Sequence, residues 1–496
     1  MMLSQSTLYL TEQIRNVEKA HASIGLMEMA GLAIVKKVRE LVPYEQAQIL
    51  IIAGPGNNGG DALVAARLLR ERYHVTVLFH GDKSRLPADA ANAYEAWLSC
   101  GGKIEKHIPD HDWALVIDGL FGVGLSRPLD WRVAKLIEQI NAMNVMVLSI
   151  DLPSGICANT GRVLGTTAIR ATHTLTLIGL KPGLFTLDGP DHAGQVSLDT
   201  LWIESGIHAE AAGQLLTREA FARALPRRLK NVNKGDFGDV AVIGGADHMV
   251  GAALLAARAA LMMGAGKVYL GLMTRCAPAL DMRQPELMLR PVPELLQQAG
   301  LDMLVVGPGL GQADDAKKLL QAVLTHSATL LLDADALNLI AGSATLKKKL
   351  RQREQPAIIT PHPGEAARLL GCSTADIQAD RVASALRLAR ELHVVTVLKG
   401  CGTLVATPSD VSGNAQWFIN ASGNPGMAAA GLGDVLAGLI GGLALQGVDA
   451  LSATLLGVHL HGAAADSLVA QGIGPIGLTA SEVSVEARRL LNQWQV

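Results

Sequence analysis

The chain has 496 residues, 49% hydrophobic, 18% charged and 3% aromatic, with 52 glycines and a formal net charge of −2. That length accommodates roughly two to four domains, and the apolar share is enough for large buried cores. The near-neutral balance gives no electrostatic basis for nucleic-acid binding, so no nucleic-acid partner is expected. The five cysteines, Cys100, Cys157, Cys276, Cys372 and Cys401, contain no CxxC pair. An odd, scattered set reads as reduced thiols in a cytoplasmic protein.

Met1–Ile24 carries Glu12, Arg15, Glu18 and Lys19 and has no apolar h-region, so no secretory signal is expected. Apolar runs then alternate with amphipathic segments. Strands are predicted at Gln48–Ala53, Val75–Phe79, Trp113–Ile117, Val145–Ile150 and Thr172–Ile178. Asp61–Arg72 has helical periodicity, with Leu63, Ala66, Leu68 and Leu69 on one stripe. This βαβ rhythm predicts a parallel sheet with helices on both faces. Around Gly213–Asn233 the rhythm breaks, and Arg223, Arg227, Arg228 and Lys230 cluster there; the segment reads as a connection with a solvated basic cluster.

The alternation then restarts. Strands are predicted at Val240–Ile243, Val268–Leu270, Met303–Val306, Thr329–Leu332, Ala357–Ile359 and Val394–Leu398. A hairpin follows at Thr403–Ala406 and Ala415–Ile419. Gly251 opens a helix through Met263. Met427–Gln446, the longest weakly charged stretch, is broken by Asp434 and several glycines, so it reads as a buried core helix and not a membrane span.

Two glycine-rich turns stand out. The first is Gly54-Pro55-Gly56-Asn57-Asn58-Gly59-Gly60-Asp61, a GxGxxG spacing after a strand and before a helix. Two further strand ends carry polar residues: Asp118 before Gly119–Gly124, and Asp151 before Leu152-Pro153-Ser154-Gly155. In a parallel sheet these ends share one edge, where open α/β folds place ligands. Each aspartate alone could serve as a cap or turn residue. Together they form a site whose oxygens suit a hard cation.

GPGNNGGDALVAARLL, DGLFGVGLSRP, DLPSG and GLKPG resemble the YjeF N-terminal domain, the NAD(P)H-hydrate epimerase, over Thr11–Gly213. The resemblance implies that Asn57, Asn58, Gly59, Gly60 and Asp61 contact the hydrate. It implies the same for Gly122, Val123, Gly124 and Leu125, continuing through Ser126, Arg127 and Pro128. Asn58, Asp118 and Ser154 would hold a potassium ion. Asp151 would be catalytic, contacting substrate near the reacting carbon.

The second turn is Gly423-Asn424-Pro425-Gly426-Met427, running into Gly431-Leu432-Gly433-Asp434. A GxGD turn opening a helix makes an anion hole and sets a carboxylate beside it. Phosphoryl transfer to a hydroxyl needs both; a capping aspartate is the plainer alternative. Lys399-Gly400-Cys401-Gly402-Thr403 follows a strand and suits nucleotide phosphates, or an ordinary hairpin turn. Thr360-Pro361-His362-Pro363 holds His362 between two prolines. Gly307–Gly311 is another glycine turn, and Asp333 and Asp335 sit at a further strand end. His459 and His461, at i and i+2 of a helix, do not share a face and read as structural.

KGDFGDVAVIGG, VVGPGLG, LLDADALN, TPHPGEAARLL, LKGCGT and GNPGMAAAGLGDVLAG resemble the YjeF C-terminal domain of the ribokinase-like superfamily, the ADP-dependent NAD(P)H-hydrate dehydratase, over Lys234–Leu490. By that resemblance Ala252, Gly309, His362 and Asp434 contact the hydrate, with Asp434 catalytic. Lys399, Gly400, Cys401, Gly402, Thr403 and Gly433 contact the adenine nucleotide. Magnesium would accompany ADP, the co-substrate.

The expected fold class is therefore α/β, with two three-layer α/β/α domains. Residues 1–215 are Rossmann-like, 216–233 are a linker, and 234–496 are ribokinase-like. The whole resembles the bifunctional NAD(P)H-hydrate repair family. Such enzymes interconvert R- and S-NAD(P)HX and dehydrate the S epimer to NAD(P)H while ADP becomes AMP and phosphate. A small-molecule kinase fused to a nucleotide-binding module is the alternative. A homo-oligomer is expected, with no membrane partner.

Overall fold

The computed structural model describes residues 6–203, 212–221, 228–409 and 413–494. The chain forms two compact units, Met1–Gln214 and Leu215–Val496.

In the first unit a short β1 (Thr7–Leu8) precedes the main sheet. That sheet uses β2 (Gln48–Ala53), β3 (His74–Phe79), β4 (Ile104–Glu105), β5 (Leu115–Gly119), β6 (Val147–Ile150), β7 (His173–Leu177) and β8 (Gln195–Asp199). The spatial order is β4-β3-β2-β5-β6-β7-β8, all parallel. The β2 side chains show why both faces are covered. Ile49 and Ile51 join a core with Leu63 and Ala66, while Leu50 and Ile52 join another with Val133 and Ile137. A strand buried on both faces has no polar alternation, as its QILIIA sequence shows. The chain runs outward from β2 through β3 to β4, then returns to β5 beside β2. The switch point therefore lies between the ends of β2 and β5. The unit ends at Gly213 and Gln214, the first residues of β9 (Gly213–Leu216), which pair antiparallel with β1.

The second unit's sheet contains β10 (Asp239–Gly244), β11 (Lys267–Leu272), β12 (Met288–Leu289), β13 (Met303–Val306), β14 (Thr329–Leu332), β15 (Ala357–Ile359), β16 (Val395–Leu398), β17 (Thr403–Ala406) and β18 (Trp417–Asn420). From β18 the order runs β17-β16-β15-β14-β13-β10-β11-β12, with β17 and β18 antiparallel as the predicted hairpin. Here the switch point lies between β10 and β13. The helices Val250–Met262 and Leu432–Leu443 pack on one face through Ala256, Ala260, Leu436 and Ile440.

Several predicted boundaries shift. The helix expected over Asp61–Arg72 spans Asn57–Leu69. Gly56 is extended (φ −121°, ψ −169°) and the helix starts at once behind it, so Asn57–Gly60 form its first turn, with Asp61 next, and not a loop. The strand expected at Trp113–Ile117 is β5, so Asp118 lies inside it. Of the basic cluster, Arg223 and Arg227 lie outside the described residues. Arg228 is not simply solvated: its guanidinium stacks 3.8 Å from the Phe237 ring centroid and donates to Gly264 O at 2.9 Å. Among the described residues no helix is long and apolar enough to cross a membrane.

Candidate functional sites

The first site is built at the β2/β5 switch point. Gly54 donates to Gly119 O at 3.0 Å. A Cβ on Gly54 would lie 1.8 Å from Leu120 O, and one on Gly59 would lie 2.0 Å from Gly54 O. The chain can turn this tightly only without side chains. The Asn57–Leu69 helix has no side-chain cap, so its first amides face outward at the positive end of the dipole.

Asp118 is fully buried. Its carboxylate accepts from Ser149 Oγ (2.8 Å), Ser154 Oγ (2.6 Å), Ser154 N (2.9 Å) and Leu120 N (3.2 Å). Burial nevertheless pushes its pKa up, the hydrogen bonds opposing. Nearby, the buried Asn58 Nδ2 has no hydrogen-bond partner among the described residues. A Cβ on Gly122 would stand 3.2 Å from Asp151 Oδ2 and 3.4 Å from Asn58 Oδ1, so the three strand-end segments converge.

Asp151 follows β6 with φ of 67°, a left-handed backbone unusual for a residue with a side chain. Its Oδ1 accepts from Leu177 N at 3.2 Å and forms an ion pair with Lys181. Lys181 is fully buried and also donates to Leu177 O (2.7 Å) and Thr176 Oγ1 (3.0 Å). Asn57, Asn58, Asp61, Gly122–Arg127, Asp151 and Lys181 line one cavity of about 1220 Å³. Gly59 and Gly60 lie behind it, Gly60 against Met27 and Ala90. Pro128 is not among its lining residues.

The second site gathers at the carboxyl ends of β10, β13, β14, β15 and β16. Gly307 approaches Asp333 O, where a Cβ would stand 1.8 Å away. Gly309 (φ +59°) lies against Met249 and Ala252; a Cβ there would be 3.3 Å from Ala252 Cβ, so these two predicted residues are neighbours. Asp333, buried after β14, accepts from Thr360 Oγ1 (2.8 Å) and Lys399 Nζ (2.7 Å). A Cβ on Gly433 would lie 3.4 Å from Lys399 Nζ and 3.9 Å from Asp333 Oδ2. The Lys399 ammonium thus stands at the start of the Leu432–Leu443 helix. That helix begins at Gly431 (φ 87°) without a side-chain cap.

Asp434 lies in its first turn. Burial, then repulsion from Asp333, raises its pKa to about 6, with Lys399 opposing. His362 caps the Pro363–Leu370 helix, its Nδ1 accepting from Gly364 N at 3.0 Å. Burial and the charges of Lys399 and Arg368 push its pKa down. Glu365 Oε1 lies 3.3 Å from His362 Nε2.

The Lys399–Thr403 loop is held by a residue the sequence reading missed. Arg381, fully buried, donates to Leu398 O (3.3 Å), Lys399 O (3.3 Å) and Gly402 O (3.4 Å). The other half of the proposed second glycine turn is not an anion donor. Gly423 N gives its hydrogen to Asp466 Oδ2 at 2.8 Å, and Gly426 N to Asn424 Oδ1 at 3.0 Å. Only the Gly431–Asp434 turn stays open. His459 meets Asn420 and tilts over Trp494, whereas His461 is buried with Nε2 unpartnered among the described residues.

Lys181, Asp333 and Glu365 were also given no role. Lys181 lies in the quoted GLKPG motif and Asp333 in LLDADALN; a charged residue inside an apolar strand-end motif was the available signal.

A family model described as NAD(P)H-hydrate dehydratase matches residues 240–487, and one described as YjeF-related protein N-terminus matches 23–183. The bifunctional NAD(P)H-hydrate repair enzyme Nnr of Escherichia coli is 39% identical over 506 aligned residues, covering 98% of this chain and 94% of that protein. The chain belongs to the bifunctional NAD(P)H-hydrate repair enzymes. The Coxiella burnetii member is 38% identical, covering 98% and 100% of the two chains. Among solved structures, the ADP/ATP-dependent NAD(P)H-hydrate dehydratase from Bacillus subtilis, co-crystallized with ATP/Mg2+, is 31% identical. It has a TM-score of 0.50 and covers 56% of this chain and 98% of its own. Membership makes the chain an enzyme with an isomerase and a lyase activity.

Proposed function

We propose that residues 1–215 carry the NAD(P)H-hydrate epimerase, that 216–233 link the two parts, and that 234–496 carry the ADP-dependent dehydratase. The observation that bears most weight is Asp434. It is a carboxyl with a pKa of about 6, at an uncapped helix N-terminus, beside the Lys399–Asp333 pair. Such a group is ionised at neutral pH yet basic enough to take a proton.

In this reading Asp434 removes the proton of the ring hydroxyl of the S hydrate. The oxygen attacks the terminal phosphorus of ADP, the bond to AMP breaks, and the amides of Leu432 and Gly433 with Lys399 receive the developing charge. Phosphate then leaves the ring carbon, the adjacent carbon loses a proton, and NAD(P)H is restored. Ala252, Gly309 and His362 bound the hydrate. The Lys399–Thr403 loop and Gly433 bound the nucleotide.

The Bacillus relative's nucleotide and magnesium support the same ligands here. Among the described residues no three His, Cys, Asp or Glu side chains cluster as a metal cage. That suits magnesium held chiefly by nucleotide phosphates and water. Its charge would offset the phosphates. In the epimerase, Asp118 and Ser154 supply hard oxygens, and the Asn58 side-chain carbonyl lies by Gly122 at the same strand ends. This donor set fits a potassium ion, which would order the strand ends around the substrate. Asp151 meets the substrate near its reacting carbon. Five cysteines without a disulfide support a cytoplasmic setting, and a homo-oligomer belongs to the same proposal.

The test is recovery of reduced-nicotinamide absorbance from mixed R and S hydrates with ADP, magnesium and potassium. Full recovery is expected. Recovery halted at the S fraction would remove the epimerase, and a stable phosphorylated product would point to a kinase.

A further inference from the structure

The epimerase cavity holds more proton-transfer machinery than Asp151. Asp61, one residue past the first turn of the Asn57–Leu69 helix, lines the same cavity, and no hydrogen bond from the described residues reaches its carboxyl. Asp151 has the opposite environment: an ion pair with Lys181 and a backbone amide donor. One carboxyl is thus anchored to a cation, and the other is left with open space in front of it.

Burial, reinforced by the charges of Asp151 and Glu18, pushes the Asp61 carboxyl well above the usual carboxylate range. The other charged groups on the cavity wall are Arg15, Glu18 and Lys19 of the Thr11–Ala20 helix, Glu28 of the Leu26–Leu41 helix and Asp89 of the Ala88–Ser99 helix. Arg127 of the Gly122–Pro128 loop and Lys181 complete the set. Glu28 is occupied by Arg67 at 2.8 Å. One carboxyl held against a cation and a second facing open space across the same cavity are placed as a base and an acid.

We propose that Asp61 is the catalytic acid of epimerisation, working opposite Asp151 as base, with Lys181 positioning Asp151. This rests on the epimerase reading above.

The substrate's hydroxyl-bearing carbon is bonded to the ring nitrogen, so it is a cyclic carbinolamine. Asp151 takes the hydroxyl proton. The oxygen's electron pair forms a carbonyl, the carbon–nitrogen bond breaks, and its pair stays on nitrogen, which takes the Asp61 proton. The open aldehyde rotates about the adjacent carbon–carbon bond. Nitrogen re-attacks the other carbonyl face and returns its proton to Asp61. The new alkoxide recovers the proton from Asp151. Both carboxyls return to their starting states, and nothing is oxidised or reduced. The 1220 Å³ cavity leaves room for that rotation.

Asp61→Asn tests it. Among the described residues the Asp61 carboxyl has no hydrogen-bond partner to lose, so folding is expected to survive, and thermal unfolding checks that. Loss of one general acid lowers kcat for R-to-S conversion by roughly 10²–10⁴-fold, with KM little changed. Wild-type activity is present while Asp61 is protonated and falls as pH rises through its pKa; in Asp61→Asn that alkaline fall disappears. In ¹⁸O water the catalysed epimer keeps its original oxygen, because the carbon–oxygen bond never breaks. A wild-type rate and pH profile in Asp61→Asn would overturn the role of Asp61. Solvent oxygen incorporated at the rate of epimerisation would overturn the bond assignment. A wild-type protein that fails to interconvert the epimers would instead refute the epimerase reading itself.

Discussion

Asp434→Asn should make the second unit more stable while stopping dehydration. An ordinary aspartate titrates at 3.8, and Asp434 titrates at about 6 in the folded protein. That difference corresponds to about 3 kcal/mol by which folding disfavours the ionised carboxylate. The sign follows from linkage. Below about pH 3 the group is protonated whether folded or unfolded, and it contributes nothing. Between about 3 and 6 the unfolded chain ionises first, and stability falls. Above about 6 the full penalty applies. Since the side chain is partly open to solvent, screening reduces the figure to about 1–2 kcal/mol. The amide cannot ionise and escapes the penalty. At pH 8, Asp434→Asn should raise the melting temperature of the second unit by about 2–8 °C. At pH 3 the two proteins should melt together. Differential scanning calorimetry at both pH values reads the stability effect, with S-hydrate dehydration measured at pH 8. Equal melting at pH 8, or a gain that persists at pH 3, would refute the electrostatic account. Full dehydratase activity in the variant would remove Asp434 from the chemistry.

Lys399→Met removes the cation that opposes the Asp434 shift. The pH at which dehydration switches on should move above about 6, with a lower plateau; a pH–kcat profile checks both. Arg381→Met removes the donor to Leu398 O at the end of β16 and to Lys399 O and Gly402 O in the loop, at about 1–3 kcal/mol for such groups. The nucleotide KM should rise on the order of tenfold, as measured by initial rates over an ADP series. Gly54→Ala would drive a Cβ into Leu120 O. It should destabilise the first unit by more than about 3 kcal/mol and abolish epimerisation, while S-hydrate dehydration continues. Asp151→Asn should abolish R-to-S conversion and leave dehydration of pure S hydrate intact, which separate assays on the two epimers would show.

Strand positions were readable because β2, β13 and β14 are short apolar runs between turn residues. The helix at Asn57 was not, because Asn-Asn-Gly-Gly opposes helix formation locally. Its glycines are there for close packing, Gly59 on Gly54 and Gly60 on Met27. The residues facing ligand space were legible as motifs, but the residues behind them were not. Arg381 lies in an amphipathic helix and looks like a surface charge; only the fold turns it inward beneath the Lys399–Thr403 loop. Gly423 shows the reverse. Its sequence looks like a phosphate turn, but Asp466, distant along the chain, takes its amide. Glycine spacing reports backbone freedom and not which amides remain open.

The left-handed backbone at Asp151 constrains how this protein can change over generations. Most side chains are strained at φ of 67°, so the position favours aspartate, asparagine or glycine. Either of the last two would suit the backbone but leave the fully buried Lys181 ammonium without its counter-ion. The carboxylate is therefore held in place twice, by the backbone that suits it and by the cation behind it. Selection acting on stability alone would already resist its loss.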